Sequence, residues 1–301
     1  MLPRPRAWRS ASSSRIWVDV VFAIKSKQIL APSVKLMVVE APLVATKVEP
    51  GQFVVVRICE EGERIPLTVA DFDRVTGDLT LIFQEVGKTT RHLGTLGVGD
   101  AILDLVGPLG RPTHIENFGT VACIGGGIGV APIYPITRAM KAKGNRVVSI
   151  IGARSKDLLI LEKEMGAASD ELHVTTDDGS YGKKAFVTQE LERMILEGYK
   201  FGMAIAIGPV PMMRVFAGVA KKYSLPAKVS LNPIMVDGTG MCGVCRVAVG
   251  DKTRFACVDG PEFDAAEVDF DLLASRQRTY CDEERASLDR YDRGGCGGCS
   301  K

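Results

Sequence analysis

The sequence has 301 residues, which is long enough for two or three domains that each bury a hydrophobic core. Hydrophobic residues make up 46% and charged residues 25% of the chain, the balance of a folded protein rather than a disordered one. The formal net charge of +2 argues against nucleic acid or an anionic membrane as the partner. The longest uncharged run, residues 118–137, is too rich in Gly and Pro to be a membrane span.

The first 21 residues differ in composition from the rest of the chain. They place Arg4, Arg6, Arg9 and Arg15 among several serines, a composition similar to that of an organelle transit peptide. The alternative is a start codon assigned too early, with translation beginning at the end of this stretch. Under either interpretation we expect residues 1–21 to form an extension outside the fold.

Residues 22–114 are predicted to form a small antiparallel barrel. Segments rich in Val, Ile, Leu and Thr are separated by turn signals around Pro50 and Gly77. Several short strands at this spacing are typical of a closed antiparallel sheet. The predicted strands are 34–40, 52–58, 66–70, 78–84 and 101–106.

The periodicity changes over residues 115–225, where short apolar strands alternate with amphipathic helices. This pattern is typical of a doubly wound parallel sheet, the architecture of nucleotide-binding domains. The predicted strands are 120–124, 146–152, 171–175 and 203–207. Predicted helices follow these strands, one ending near 143 and the others at 158–165, 187–196 and 211–223.

Six of the eight cysteines fall after residue 240, at short spacings that indicate metal ligation rather than a disulfide scaffold. Cys242 and Cys245 form the x2 pair of the plant-type [2Fe–2S] pattern C-x4-C-x2-C, and Cys257 can be its distant ligand. Asp237 stands where the first Cys of that pattern belongs, and a carboxylate can bind iron. We therefore predict a small [2Fe–2S] module over residues 226–275 with these four ligands. A structural zinc site with the same ligands is the alternative.

The other cysteines indicate a reducing compartment. Cys59 and Cys123 lie singly in apolar runs, where a free thiol behaves as a small hydrophobic group. We therefore expect a cytoplasmic protein, with organelle targeting by the N-terminal extension as the minor alternative.

The charged tail, residues 276–301, is predicted to be flexible because no fold surrounds it. Cys281 has no evident role, and Cys296 and Cys299 could form a thiol or metal pair in this tail.

A glycine-rich loop follows the first strand of the parallel sheet. Such a loop brings backbone N–H groups and a helix N-terminus to a pyrophosphate, and a tight turn without a ligand is the alternative. The predicted nucleotide-binding residues of this loop are Gly125, Gly126, Gly127 and Gly129. Loops at the ends of the other strands are predicted to line the same crevice, or else to serve as turns and helix caps. The candidates in these loops are Arg154, Asp178, Gly208, Pro209 and Met212.

Two segments of the barrel suit a flavin nucleotide. The first places Arg64, Pro66 and Thr68 on one face of a strand, with Leu67 between them. An Arg there can pair with a flavin pyrophosphate, and a Thr hydroxyl can meet the isoalloxazine edge. The second segment combines N–H groups and hydroxyls at a predicted helix start, which again suits phosphate. Its residues are Gly87, Lys88, Thr89 and Thr90.

Barrel, dinucleotide domain and Cys module, in this order, resemble the electron-transfer subunits of the ferredoxin–NADP reductase superfamily. Within it, the chain is similar to the small subunits of NADH-dependent reduced ferredoxin:NADP oxidoreductases and to the dihydroorotate dehydrogenase electron-transfer subunits. The resemblance covers residues 22–278. The motifs that carry it are Glu-Pro-Gly-Gln-Phe at 49–53, Arg-Ile-Pro-Leu-Thr at 64–68, Gly-Gly-Gly-Ile-Gly-Val-Ala-Pro at 125–132 and Cys-Val-Asp-Gly-Pro-Glu-Phe at 257–263.

The resemblance implies FAD in the barrel, NAD(H) on the parallel sheet and a [2Fe–2S] cluster at the C-terminal end. Electrons would pass between these groups and a larger flavoprotein subunit, and through that partner to ferredoxin. No side chain is expected to act as a catalytic acid or base. The family favours NAD, although Arg154 could meet the 2′-phosphate of NADP.

Two positions depart from the family patterns. Dihydroorotate-type subunits carry four Cys at the cluster, whereas the ferredoxin:NADP type has an Asp, so Asp237 favours the ferredoxin:NADP type. Arg64 stands four residues before Thr68, where the superfamily spacing is three, and this weakens its assignment to the pyrophosphate.

Two further functions are compatible with parts of the pattern. A stand-alone NAD(P)H:flavin reductase with a structural zinc needs no one-electron relay, so the cysteine spacing argues against it. A binding protein that kept only the nucleotide fold and a zinc would carry no flavin, and bound flavin would exclude it.

Overall fold

The computed structural model describes residues 22–294, so the predictions for residues 1–21, Cys296 and Cys299 lie outside the described residues.

The first unit consists of β1 (Phe22–Ala31), β2 (Val34–Glu40), α1 (Pro42–Ala45), β3 (Phe53–Arg57), β4 (Ile65–Asp73), β5 (Asp78–Gln84), α2 (Lys88–Thr95), β6 (Ala101–Ile102) and β7 (Asp104–Leu109). The strands pair antiparallel in the order β6-β1-β2-β5-β4-β3-β7. Because a single residue separates β6 from β7, the two edges of the sheet meet and close most of the predicted barrel.

Successive side chains of β3 point alternately into the barrel and away from it, and both sets are apolar. Val54 and Val56 lie in the barrel interior, whereas Phe53 and Val55 face outward and pack in the core of the second unit. The sequence analysis leaves β1 unassigned because most of this strand is half-exposed and lacks a clean apolar period.

The second unit consists of β8 (Thr120–Gly126), α3 (Val130–Ala142), β9 (Arg146–Ala153), α4 (Glu162–Ala168), β10 (Glu171–Thr176), β11 (Lys183–Lys184), α5 (Val187–Leu196), β12 (Met203–Ile207), α6 (Val210–Lys222) and β13 (Ala227–Ser230). Its strands are parallel in the order β11-β10-β9-β8-β12-β13, which confirms the doubly wound sheet. On β8, Val121 and Cys123 pack toward α3, whereas Ala122 and Ile124 pack toward α5 and α6. Both faces are covered, and this explains the continuous apolar strands of the sequence.

The C-terminal segment is built onto the edge of the parallel sheet. It consists of β14 (Arg246–Val249), β15 (Lys252–Phe255), α7 (Ala256–Asp259), β16 (Glu262–Asp264), α8 (Phe270–Gln277) and α9 (Cys281–Asp292). β14 and β15 form a hairpin, and β16 pairs antiparallel with β13 as the edge strand of the large sheet. Two strands from residues 226–275, β13 and β16, thus belong to the nucleotide-binding sheet.

The prediction of a flexible tail is wrong for residues 281–292, which form α9. Three acidic residues occupy the first turn of this helix and Arg290 its last, an arrangement that complements the helix dipole. Arg91 of α2 donates to both carboxylate oxygens of Asp292 at 2.9 Å, so α9 lies against the barrel. The charged residues that suggested disorder therefore stabilise α9 and its contact with α2.

Across residues 22–294, every helix falls short of the length and apolar character that a membrane crossing requires.

Candidate functional site

The glycine-rich loop lies where the order of the parallel strands reverses. β8 ends at Gly126, a 3₁₀ turn covers Gly127–Gly129, and α3 follows at once. A Cβ built on Gly129 would lie 2.1 Å from the carbonyl oxygen of Ile207, so only glycine allows α3 to start this close to β12. Gly127 has a φ of +56° and open space beside it. The loop therefore presents bare backbone and a helix N-terminus to the crevice, as a pyrophosphate requires.

The loop between β12 and α6 lies directly against the glycine-rich loop. A Cβ on Gly126 would lie 2.3 Å from the sulfur of Met212, and a Cβ on Gly208 would lie 2.7 Å from its terminal methyl. The half-buried Met212 side chain thus fills the space between the two loops, with Pro209 exposed at the rim. The structure brings these two predicted loops together at the switch point, where ligands of doubly wound sheets bind.

Arg154 and Asp178 occupy the ends of the next two strands, β9 and β10. Both residues are exposed. The carboxylate of Asp178 accepts the backbone N–H of Ser180 at 2.9 Å, and this hydrogen bonding lowers the pKa of Asp178. Asp178 therefore shapes its own turn at the rim of the crevice.

The predicted flavin face of β4 is only partly as expected. Thr68 pairs with Phe53 and Pro66 with Val55, so Thr68 and Pro66 share the outward face of the barrel with these residues. Leu67 points the other way and packs against the barrel core. Its side chain therefore lies on the opposite face of the strand from Pro66 and Thr68, and its assignment to the flavin stays a prediction. Arg64 is exposed just before β4 begins.

The second predicted phosphate segment forms the start of α2, as expected. The hydroxyl of Thr90 accepts the backbone N–H groups of Val86 and Gly87 at 3.0 and 3.1 Å. The hydroxyl of Thr89 donates to Glu63 at 2.5 Å. Both hydroxyls are thus engaged within the protein, and the Lys88 ammonium forms an ion pair with Glu63 at 3.8 Å. The groups that suit a phosphate are the helix N–H groups, with Lys88 beside them.

The four predicted iron ligands form two contacting pairs. Asp237 accepts the backbone N–H of Thr239 at 3.0 Å and that of Cys242 at 2.9 Å, and these bonds lower the pKa of its carboxyl. The thiols of Cys245 and Cys257 lie 3.2 Å apart. Three glycines in the left-handed region allow the tight wrap of the loop: Gly238, Gly240 and Gly243.

The chemistry of this donor set fits an iron–sulfur cluster. Burial raises the pKa of the Cys257 thiol to about 12, with Cys245 adding to the rise, whereas the backbone N–H of Gly240 stabilises the thiolate. Two buried neighbouring thiols need a bound cation before they can ionise, and iron supplies that charge. Within residues 22–294 the side chains are not arranged with three or more His, Cys, Asp or Glu around one ion.

The cysteine loop packs on the outward face of the barrel. A Cβ on Gly238 would lie 2.7 Å from Leu109 and 3.0 Å from Val55, residues of β7 and β3. These strands continue the surface that carries Pro66 and Thr68. The predicted flavin face and the predicted cluster loop are therefore adjacent, and Met241 at the tip of the loop is 88% exposed.

Sequence reasoning missed a contact that joins the barrel to β16. The hydroxyl of Thr113 donates to Glu262 at 2.5 Å, and burial raises the pKa of the Glu262 carboxyl. The resemblance motif at 257–263 contains Glu262, but nothing in the sequence pointed to Thr113.

Among the described cysteines outside the loop, Cys123 and Cys281 are free thiols and Cys59 forms a disulfide. Cys123 is free and fully buried in β8, as expected, and burial raises its pKa to about 12. Cys59 is disulfide-bonded, so the expectation of a free thiol is wrong there. Cys242, Cys245, Cys257 and Cys281 are free.

Two family models match the chain. The iron-sulfur cluster binding domain of dihydroorotate dehydrogenase B matches residues 232–269, which include the cysteine loop and Cys257. The oxidoreductase NAD-binding domain matches residues 123–217, which include both loops of the crevice.

Relatives and a solved structure match over most of the chain. A dihydroorotate dehydrogenase B (NAD(+)) electron transfer subunit homolog of Thermotoga maritima is 49% identical over 253 residues, 84% of this chain and 89% of the relative. The corresponding electron transfer subunit of Bacillus caldolyticus is 35% identical over 81% of this chain and 96% of its own length. A chain in the structure of the NADH-dependent reduced ferredoxin-NADP oxidoreductase, solved to study flavin-based electron bifurcation, superposes with a TM-score of 0.85. That chain is 45% identical, and the match covers 90% of this chain and 98% of the other.

Proposed function

The chain belongs to the family of dihydroorotate dehydrogenase B electron-transfer subunits, and we propose from this that it relays electrons between NAD(H) and a larger partner subunit. It is an oxidoreductase subunit with FAD, NAD and a [2Fe–2S] cluster as its redox groups. When bound, FAD would supply the exchange between the electron pairs of the nicotinamide and the single electrons of the cluster. The protein's part is to bind these groups and to position them near one another.

The observation that carries the proposal is the contact of Gly238 with Val55 and Leu109. It sets the cluster loop against the barrel face that carries Pro66 and Thr68. This packing supports a path in the order nicotinamide, flavin, cluster, because it brings the predicted flavin face and the predicted cluster loop together from distant parts of the sequence.

Each segment has its own task in this arrangement. The start of α3 and the loop of Gly208 and Met212 hold the nucleotide, and Arg154 and Asp178 border its far end. The start of α2, Arg64 and the outward face of β4 hold FAD. The cluster is held by Asp237, Cys242, Cys245 and Cys257.

The partner subunit binds over the cluster loop. Cys242 is exposed, and the apolar side chains of Val236, Met241 and Val258 around it are exposed by 45%, 88% and 38%. Such a patch, rimmed by polar residues, is typical of a protein interface. Asp237 favours a partner of the ferredoxin:NADP oxidoreductase type over dihydroorotate dehydrogenase, and ferredoxin reacts through that partner. We place the assembly in the cytoplasm, where the free ligand thiols stay reduced.

Spectra of the anaerobically purified chain test the proposal. We expect flavin absorption, about two irons per chain, and an EPR signal that appears when NADH is added. Flavin together with zinc and without iron would instead establish a simple reductase with a structural metal. Protein that binds neither flavin nor iron, although folded by circular dichroism, would refute the proposal.

A further inference from the structure

The last turn of α8 is hydrogen-bonded to the segment that carries the cysteine loop. The guanidinium of Arg276 donates to the carbonyl oxygen of Val244 at 3.1 Å, directly before the predicted ligand Cys245. The side-chain amide of Gln277 donates to the carbonyl oxygen of Asn232 at 2.8 Å. The sequence analysis assigned residues 276 and 277 to a flexible tail, and that prediction is wrong because both complete a helix.

The helix α8 is a rigid support for these two side chains. At its start, the carboxylate of Asp269 accepts the backbone N–H of Leu272 at 2.9 Å, and the backbone N–H of Asp269 donates to Ala248 of β14 at 3.0 Å. Phe270 and Leu273 are buried in the core of the second unit. A side chain that extends from a helix fixed in this way holds its target with little freedom.

The bond from Arg276 sets the orientation of one peptide group in the cysteine loop. The peptide bond between Val244 and Cys245 is trans, so its C=O and N–H point in opposite directions. The carbonyl points to α8, and the N–H of Cys245 therefore points away from this helix. Cys245 is only 2% exposed, and within residues 22–294 its N–H donates to no backbone carbonyl. A buried N–H needs an acceptor, and a cluster sulfide is one.

Arg276 also brings a positive charge to the loop. Two other arginines of the C-terminal region and its surroundings are paired, Arg214 with Asp271 at 2.6 Å and Arg254 with Asp259 at 4.0 Å. In the described part of the chain Arg276 is half-buried and forms an ion pair with no carboxylate. A guanidinium stays protonated, and solvent screens a half-buried charge less than an exposed one. The charge of Arg276 is therefore left to act on the loop.

We propose that Arg276 is a positioning residue of the iron–sulfur site, an inference that rests on the proposed function. It fixes the peptide group before Cys245 so that the N–H of Cys245 is available to a cluster sulfur. Its positive charge favours the reduced cluster, which carries one more electron than the oxidised one. Both effects raise the reduction potential of the bound cluster.

Two variants of Arg276 test this assignment. Arg276→Gln keeps a hydrogen-bond donor but removes the charge, whereas Arg276→Lys keeps the charge. Each holoprotein is reconstituted anaerobically with iron and sulfide, so that loss of the cluster during purification does not hide the result. In an EPR-monitored redox titration, we expect the equilibrium constant for cluster reduction to fall about tenfold in Arg276→Gln, a shift of about 59 mV to lower potential. Arg276→Lys should keep most of the wild-type potential.

The matched control is Arg278→Gln, which removes a positive charge from an exposed residue just beyond α8. Its potential and its rate of iron loss to a chelator should equal those of the wild type. A wild-type potential in Arg276→Gln, with normal iron content and melting temperature, would overturn the inference and leave the proposed function standing. An equal shift in Arg276→Lys would contradict the role of the charge. A wild-type chain that binds no iron after reconstitution would instead refute the proposed function.

Discussion

Asp237 is tied to its own loop by two backbone hydrogen bonds, from Thr239 and from Cys242. These bonds keep the carboxyl ionised, because they lower its pKa. Asp237 thus organises the loop, and as the proposed iron ligand it would also contribute a negative donor. A thiolate can replace the donor but accepts weaker hydrogen bonds from the loop.

Substitutions of Asp237 should separate its role as a hydrogen-bond acceptor in the loop from its proposed role as an iron ligand. We expect Asp237→Cys to keep about two irons per chain but to change the EPR spectrum and lower the reduction potential, because thiolate donates more charge than carboxylate. Asp237→Ala should lose most of the iron. Iron analysis and an EPR-monitored redox titration measure both effects.

Cys281→Ser is the matched control, because it removes a free thiol that belongs to α9 and is not among the predicted ligands. Iron content and EPR spectrum should stay at the wild-type values. An Asp237→Ala protein with full iron content and an unchanged EPR spectrum would rule out Asp237 as a ligand.

At the scale of secondary-structure elements, the crevice depends on how closely α3 approaches β12. Gly129 sets this approach, because its missing side chain leaves room for the carbonyl of Ile207. The sequence predicted a glycine-rich loop here, but only the packing shows that Gly129 serves the approach of the helix, whereas Gly127 serves an exposed left-handed turn.

Gly129→Ala should therefore destabilise the protein by about 2–3 kcal/mol, the cost of overpacking at a rigid backbone contact. It should also weaken NAD(H) binding, because α3 must shift away from the crevice. Urea unfolding and nucleotide titration check the two effects.

Gly218→Ala provides the comparison. Gly218 lies inside α6 with open space around it, so alanine should be neutral or stabilising by up to about 1 kcal/mol. Equal stability of the two variants would contradict the packing argument.

At the scale of the whole molecule, the barrel and the C-terminal segment are joined through Thr113 and Glu262. Burial raises the pKa of Glu262 above its unfolded value, so the folded state favours the protonated carboxyl. The folded protein then binds more protons than the unfolded chain, and stability falls as the pH rises from about 4.5 through the folded pKa.

Glu262→Gln should remove this part of the pH dependence, since the amide keeps an oxygen for the Thr113 hydroxyl without a buried charge. Thr113→Val should cost about 1–2 kcal/mol, because it leaves the buried carboxyl without its donor. Urea unfolding at pH 5 and pH 8 measures both variants. A Glu262→Gln protein with the wild-type pH dependence would show that this carboxyl is ionised in the folded state.

Local patterns in the sequence were enough to predict the elements and the metal-binding loop. Strand and helix alternation predicted the barrel and the parallel sheet, since periodicity reflects which face of each element is buried. The spacing of Cys242 and Cys245 predicted the cluster, because ligands close in sequence reach one metal through a single loop.

The contacts between distant segments became visible only in the folded protein. The contact of Gly238 with the barrel face, the inward side of Leu67 and the link from Thr113 to Glu262 all join or orient residues from separate elements. The helix α9 is likewise held against the barrel by the bond from Arg91 to Asp292, about two hundred positions away in the sequence. Local patterns carry no information on such pairs, because strand register and the packing of helices on sheets are set when the whole chain buries its apolar faces.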